Sequence, residues 1–201
     1  MADRYLHEVL TPAVLAAERH YYGRAATTAT AAPPPEALGE DERAFIERRD
    51  SFYLATTTEN GWPYLQHRGG APGFLRVTGP NELVFADYGG NRQMISVGSL
   101  ARNDRVSLFL MDYAARERLK ILGHATVLDA REQPELVAKL APPGGHAAKV
   151  ERLFVIQVLS YDWNCPKFIT PRYTAAEVER AVAPLQARIA ELEAQLKLTA
   201  P

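Results

Sequence analysis

Residues whose types and spacing could do chemistry concentrate in one stretch, ELVFADYGGNRQMISVGSLARNDRVSLFL, positions 82–110. A strand pattern ends there at Asp87, Gly89 and Gly90 follow, and Asn91, Arg92 and Gln93 are expected to open a helix running to about residue 101. Glycines let a backbone approach a ligand closely. The free N–H groups of a first helical turn attract an anion, and an arginine adds a permanent charge in a fork geometry. Asn91 would either cap the helix or bind a phosphate oxygen. The stretch therefore reads as a phosphate-binding corner without a Walker sequence; the plainer alternative is a strand–turn–helix corner with a solvated arginine.

Two polar pairs bear on that choice. Gln66 and Arg68 lie two residues apart in a strand, as do Arg118 and Lys120, so each pair leaves one face. Taken singly, each pair reads as a solvated barrel face. Near an anion-binding corner, they suggest a cleft for a phosphorylated, hydrogen-bonding ligand.

Absences narrow the chemistry. The chain has no G-x-G-x-x-G, no G-x-x-x-x-G-K-[ST], no C-x-x-C and no G-x-S-x-G. Its five histidines (His7, His20, His67, His124, His146) are scattered, so a protein-ligated metal is not expected and no catalytic acid or base is nominated. The single cysteine, Cys165, excludes an internal disulfide and reads as a small packing residue.

The elements that must position these residues follow from hydrophobic period. Thr11-Pro12 starts a helix through AVLAAERHYY. Residues 23–39 are rich in Ala, Thr and Pro and read as an extended arm over the body or a connector. A short amphipathic helix then buries Phe45 and Ile46. From residue 51 the period changes to that of strands. SFYLATTT turns at Asn60-Gly61 into PYLQHR, GFLRV pairs with ELVFAD across TGPN, and RVSLFLMD, RLKILGHATVLD and ERLFVIQVLSYD follow. EQPELVAKLA reads as helical and APPGGHA as a loop. Roughly six strands joined by short turns predict a mainly β fold, a six-stranded antiparallel barrel with peripheral helices.

At the C-terminus, Thr174 and Glu177 form a capping-box pattern. Val178, Val182, Leu185, Ile189, Leu192 and Leu196 then recur at spacings of four and three, an a/d seam that would pack on its own barrel or on a second subunit. Pro184 predicts a kink or a fresh helix start.

The 201 residues include 23 basic and 24 acidic side chains, for a net charge of −1. That balance argues against nucleic acid as a partner. No apolar run reaches the ~20 residues of a membrane span, and the N-terminus lacks a signal-peptide pattern, so a cytoplasmic protein is expected.

SFYLATTTENGWPYLQHRGG, the turn GGNRQ, NDRVSLFL and RLKILGHATVLD together resemble the pyridoxamine-phosphate-oxidase-like flavoproteins over about residues 41–173. The resemblance implies a split β-barrel that binds FMN at a homodimer interface and transfers electrons or hydride between a nicotinamide donor and a small molecule. Arg92 and Gln93, with Asn91 beside them, would hold the FMN phosphate, and Gln93 stands where the oxidases have lysine. Gln66 and Arg68 would line the ring and ribityl chain, Ala86 and Asp87 would approach the cofactor from a strand end, and Arg118 would lie near the polar edge of the ring. Trp163 would close over the flavin from the partner chain. The oxidases' R-x-H grip on substrate phosphate has no counterpart beyond Arg172 in ITPRYT, which argues against pyridoxamine phosphate as substrate. Alternatives within the superfamily are a flavin carrier or sensor, F420 in place of FMN, or a haem protein using His67. The resulting organisation is a helix and arm (1–40), the barrel (41–173) and a C-terminal helix (174–201).

Overall fold

The computed structural model describes residues 3–27, 31–90, 92–140, 150–163 and 166–199. The loop expected at APPGGHA, together with Asn91 and Cys165, lies outside the described residues. Contacts divide the chain into two compact units. One runs to Met111 and resumes from Arg118 to Cys165; the other comprises Asp112–Glu117 and the chain from Pro166 onward.

The first unit is built on seven strands, one for each strand-like segment of the sequence from SFYLATTT to ERLFVIQVLSYD, GFLRV included, and so one more than the count of roughly six. In chain order they are β1 (Ser51–Thr57), β2 (Pro63–Gly69), β3 (Leu75–Gly79), β4 (Glu82–Tyr88), β5 (Arg105–Asp112), β6 (Glu117–Asp129) and β7 (Val150–Trp163). They form one sheet in the order β2-β1-β5-β6-β7-β4-β3, and every pair with a defined register is antiparallel.

Alternation along the strands explains the core. Phe52 and Leu54 of β1, Val106, Leu108 and Leu110 of β5, and Leu119 and Ile121 of β6 leave one face and are buried together. Each such side chain contributes roughly 1.5–3 kcal/mol on burial. The sheet must roll to gather them. Phe52 on β1 and Phe85 on β4 stand four strands apart in the sheet order, about 19 Å in a flat sheet, yet their ring centroids are 5.3 Å apart. The core is therefore the inside of a barrel.

A bulge locks one wall. Between Leu122 and Gly123 the β6–β7 register shifts from Ser160 to Val158, leaving Leu159 without a cross-strand partner in β6. Its carbonyl instead accepts from Glu36 N at 3.1 Å, and Tyr161 N donates to Glu36 Oε2 at 3.2 Å. Leu38 N donates to the Pro80 carbonyl, and its side chain is buried. The end of the Ala/Pro-rich segment is thus an ordered arm along β7.

Helices α1 (Asp3–Val9) and α2 (Pro12–Tyr22) precede the arm. Thr11 caps α2 through Val14 N, and Gly23, at φ 67°, ends it. Helix α3 (Glu40–Glu47) buries Phe45 and Ile46, as its pattern predicts, with Glu42 Oε2 accepting from Gly39 N at 3.0 Å. Helices α4 (Ile95–Leu100) and α5 (Pro134–Leu140) are short. In the second unit, α6 (Ala175–Thr199) is continuous through Pro184, without the fresh start considered from sequence. Its capping box forms: Glu177 N donates to Thr174 Oγ1 at 3.2 Å, and Thr174 N to Glu177 Oε2 at 2.7 Å. The bonds that Oε2 accepts from Thr174 N and, at 2.8 Å, from Thr174 Oγ1 hold the Glu177 carboxyl below its ordinary pKa. Among the described residues, no helix is long and apolar enough to cross a membrane.

Candidate functional site

Rolling the sheet brings edge strand β2 to the end of β4, and a cleft of about 190 Å³ opens where they meet. On β2 the alternation turns Tyr64, Gln66 and Arg68 into it, while Leu65 and His67 point outward and are exposed. From β4 come Asp87 and Tyr88, from β7 comes Arg152, and the segment from Gly90 to Val97 closes the far side.

That segment differs from its expected form. Arg92 and Met94 have left-handed backbones, at φ 59° and 56°, so the helix begins only at Ile95 and spans six residues. A single left-handed residue cannot continue a right-handed turn, and two of them push the helix start past Arg92 and Gln93. A helix this short offers no anion site at its N-terminus, so attraction for a negative ligand falls to the side chains.

Those side chains form a charged ladder. Asp87, nine-tenths buried, receives Arg68 Nη1 on Oδ1 at 2.5 Å and Arg152 Nε on Oδ2 at 2.8 Å. Arg152 also pairs with Glu151 Oε2 at 2.8 Å. Burial opposes the Arg152 charge, but hydrogen bonds and attraction from Asp87 and Glu151 outweigh it, so its pKa is raised. The Arg68 guanidinium lies 5.0 Å from the Phe154 ring centroid and 5.6 Å from that of Phe85. Its Nε is buried with no acceptor among the described residues. Arg92 is exposed at the rim and makes no ion pair with another described residue. Gln66 is held by Ser96, whose hydroxyl donates to Oε1 at 2.9 Å.

Of the residues singled out from sequence, Gln66, Arg68, Asp87, Arg92 and Gln93 therefore line one cleft. Ala86 faces the other way and packs against a small cluster containing Val84 and Leu153. Arg118 is not among the cleft's lining residues; its guanidinium lies 5.7 Å from the Phe109 centroid and its buried Nε has no acceptor among the described residues. Trp163 closes the end of β7, where its Nε1 donates to Glu42 Oε1 at 2.7 Å and its ring stands edge-on to Phe45.

Sequence reasoning missed Arg152, and a signal for it exists. In ERLFVIQVLSYD, Arg152 shares the alternation of Phe154 and Ile156, both fully buried. A cation on the inward row of a barrel strand needs an anion or a ligand. Among the described residues, no group of three or more His, Cys, Asp or Glu side chains is placed to hold a metal ion.

Comparison with known proteins adds to this geometry. Residues 38–160 match the family model described as pyridoxamine 5'-phosphate oxidase. Among curated protein sequences no relative matches. Among solved structures, HupZ of Group A Streptococcus, as a variant, is similar at 12% identity over 63% of this chain and 99% of its own, with a TM-score of 0.49. An FMN-binding protein from Syntrophomonas wolfei shows 12% identity over 61% and 83%, with a TM-score of 0.47. A Clostridium acetobutylicum protein related to general stress protein 26, of the pyridoxinephosphate oxidase family, shows 13% identity over 62% and 85%, also at 0.47.

Proposed function

The chain belongs to the pyridoxamine 5'-phosphate oxidase family, and on that basis we propose that it is an FMN-binding flavoprotein acting as an oxidoreductase between a nicotinamide donor and a small molecule. One observation carries the cofactor assignment: three arginines, Arg68, Arg92 and Arg152, converge on one cleft whose buried carboxylate already has two of them as partners. A phosphate monoester suits that cleft. Arg92, which makes no ion pair with another described residue, supplies a charge at the mouth, Gln66 and Gln93 supply neutral polar groups, and Asp87 holds Arg68 in place.

Size decides how the rest of FMN would lie. A cavity of about 190 Å³ is below the ~300–1,000 Å³ that encloses a whole ligand of this kind. The cleft fits the phosphate and the start of the ribityl chain, and the ring extends past it. A second copy of the chain would cover the ring, which favours a homodimer as the working unit. Bound FMN would supply the redox chemistry; the protein's part is to anchor, orient and tune.

A non-enzymatic flavin carrier is the second reading. It is favoured by Asp87, the one carboxylate among the described residues lining the cleft, being engaged by two arginines and so not placed to move a proton. Haem ligation by His67 finds no support in the cleft, because that ring faces outward, 5.6 Å from the Tyr53 centroid.

Purified protein should carry, or take up, one FMN per chain, seen as flavin absorbance and by mass spectrometry of the released molecule. Anaerobic bleaching by NADH or NADPH separates oxidoreductase from carrier. A colourless preparation that refuses FMN at high micromolar concentration overturns the assignment.

A further inference from the structure

We propose that α6 is one strand of a parallel two-stranded coiled coil whose other strand is the α6 of a second copy of this chain. The inference is independent of the cofactor. Val178, Val182, Leu185, Ile189, Leu192 and Leu196 form the seam, and each is between 36% and 69% exposed in the single chain. Six large apolar side chains in one helical row need a cover of matching pattern.

The heptad phase names the partner. Val182, Ile189 and Leu196 occupy a, and Val178, Leu185 and Leu192 occupy d. Two of the three a positions are β-branched and two of the three d positions are leucine, the combination that favours two parallel strands. Pro184 falls at c, on the outward side, so its ring does not enter the seam.

Charges decide orientation. In a parallel pair, Arg188 at g lies beside Glu193 of the partner subunit at e, and the same contact recurs by symmetry. An antiparallel pair that keeps all six layers would match position 178 with 196, 182 with 192 and 185 with 189. It would then set Arg188 against the partner's Arg188, and Glu179 against the partner's Glu193. Both contacts are between like charges. Within one chain Arg188 pairs with Glu191, at the outward position c, at 2.8 Å with both side chains exposed, so in the dimer the guanidinium turns from that acid toward Glu193 of the partner subunit.

Cysteine cross-linking of the full chain tests this. In a Cys165→Ala background, Val178→Cys should give a disulfide-linked dimer under mild oxidation at micromolar concentration. A mixture of the separate Val178→Cys and Leu196→Cys proteins should give no mixed dimer, since a parallel pair holds those positions ~27 Å apart along the axis. Adding Leu185→Asp should cut the Val178→Cys link at least about tenfold by placing a charge in the seam. A 178–196 mixed link, no link, or a link indifferent to Leu185→Asp overturns the proposal. The Val178→Cys link gives a second readout specific to α6: Arg188→Glu should lower its yield, and Glu193→Arg added to it should restore it. Failure of that restoration overturns the parallel orientation.

Discussion

Asp87 and Arg152 stand opposite each other across the β4–β7 ladder, and Arg152 Nε donates to Asp87 Oδ2 at 2.8 Å while Arg68 takes the other oxygen. One buried carboxylate thus holds two guanidinium groups from opposite sides of the rolled sheet. Asp87→Asn removes the charge with little change of shape. Losing one partner of a buried ion pair costs about 3 kcal/mol, so the melting temperature should fall by roughly 6–12 °C. Phosphate or FMN should nevertheless bind the folded protein more tightly, because two cations lose their internal counter-ion. Calorimetry and fluorescence titration check both; weaker anion binding by a folded variant would contradict the arrangement.

Arg92→Ala and Arg68→Ala should both weaken FMN binding, each by about tenfold or more if it loses a charged hydrogen bond. Their stabilities should diverge. Arg92 is exposed without an ion-pair partner among the described residues, so its removal should leave the melting temperature unchanged. Arg68 is buried on Asp87 and over two aromatic rings, so its removal should lower it. Equal thermal effects would mean that the two arginines do not differ as described.

Tyr161 gives a pH dependence with a definite sign. Burial, followed by the charges of Glu42 and Glu36, raises its pKa above the ordinary 10.0. The folded state then keeps the phenolic proton to higher pH than the unfolded chain does. This contribution to stability is complete below pH ~10 and is lost as pH rises through the folded value. Titration at 295 nm should show one tyrosine ionising late, and Tyr161→Phe should remove that late step.

Gly123 sits at the β6–β7 bulge, where an added Cβ would lie 2.5 Å from the Gln157 carbonyl oxygen. Backbone cannot yield as a side-chain tip can. Gly123→Ala should destabilise by about 1–3 kcal/mol, seen as a lower denaturation midpoint. A neutral result would show that the wall is looser there.

Much of the scaffold was legible in local sequence. Every strand coincides with a segment marked by period-two alternation and turn residues, Gly61 adopts the positive φ of 82° that its hairpin turn predicts, and Thr174 and Glu177 cap each other as their spacing requires. These features depend on neighbours within a few residues, so the chain states them directly. Gln66 and Arg68 were placed on one face by the same logic.

What the tertiary structure alone decided are the pairings across long separations. Arg152 meets Asp87 over 65 residues, Arg68 meets it over 19, and Trp163 meets Glu42 over 121. No local period encodes them; they follow from the register of β7 against β4 and from the curl that carries β2 to the far edge of the sheet. The left-handed turns at Arg92 and Met94 belong to the same class. Side-chain spacing carries no mark of a φ angle, so a helix expected from residue 91 begins at 95. The sequence by itself therefore determined which elements form and which face of each is apolar, because both are local. Which charges share the cleft was decided by closure of the barrel.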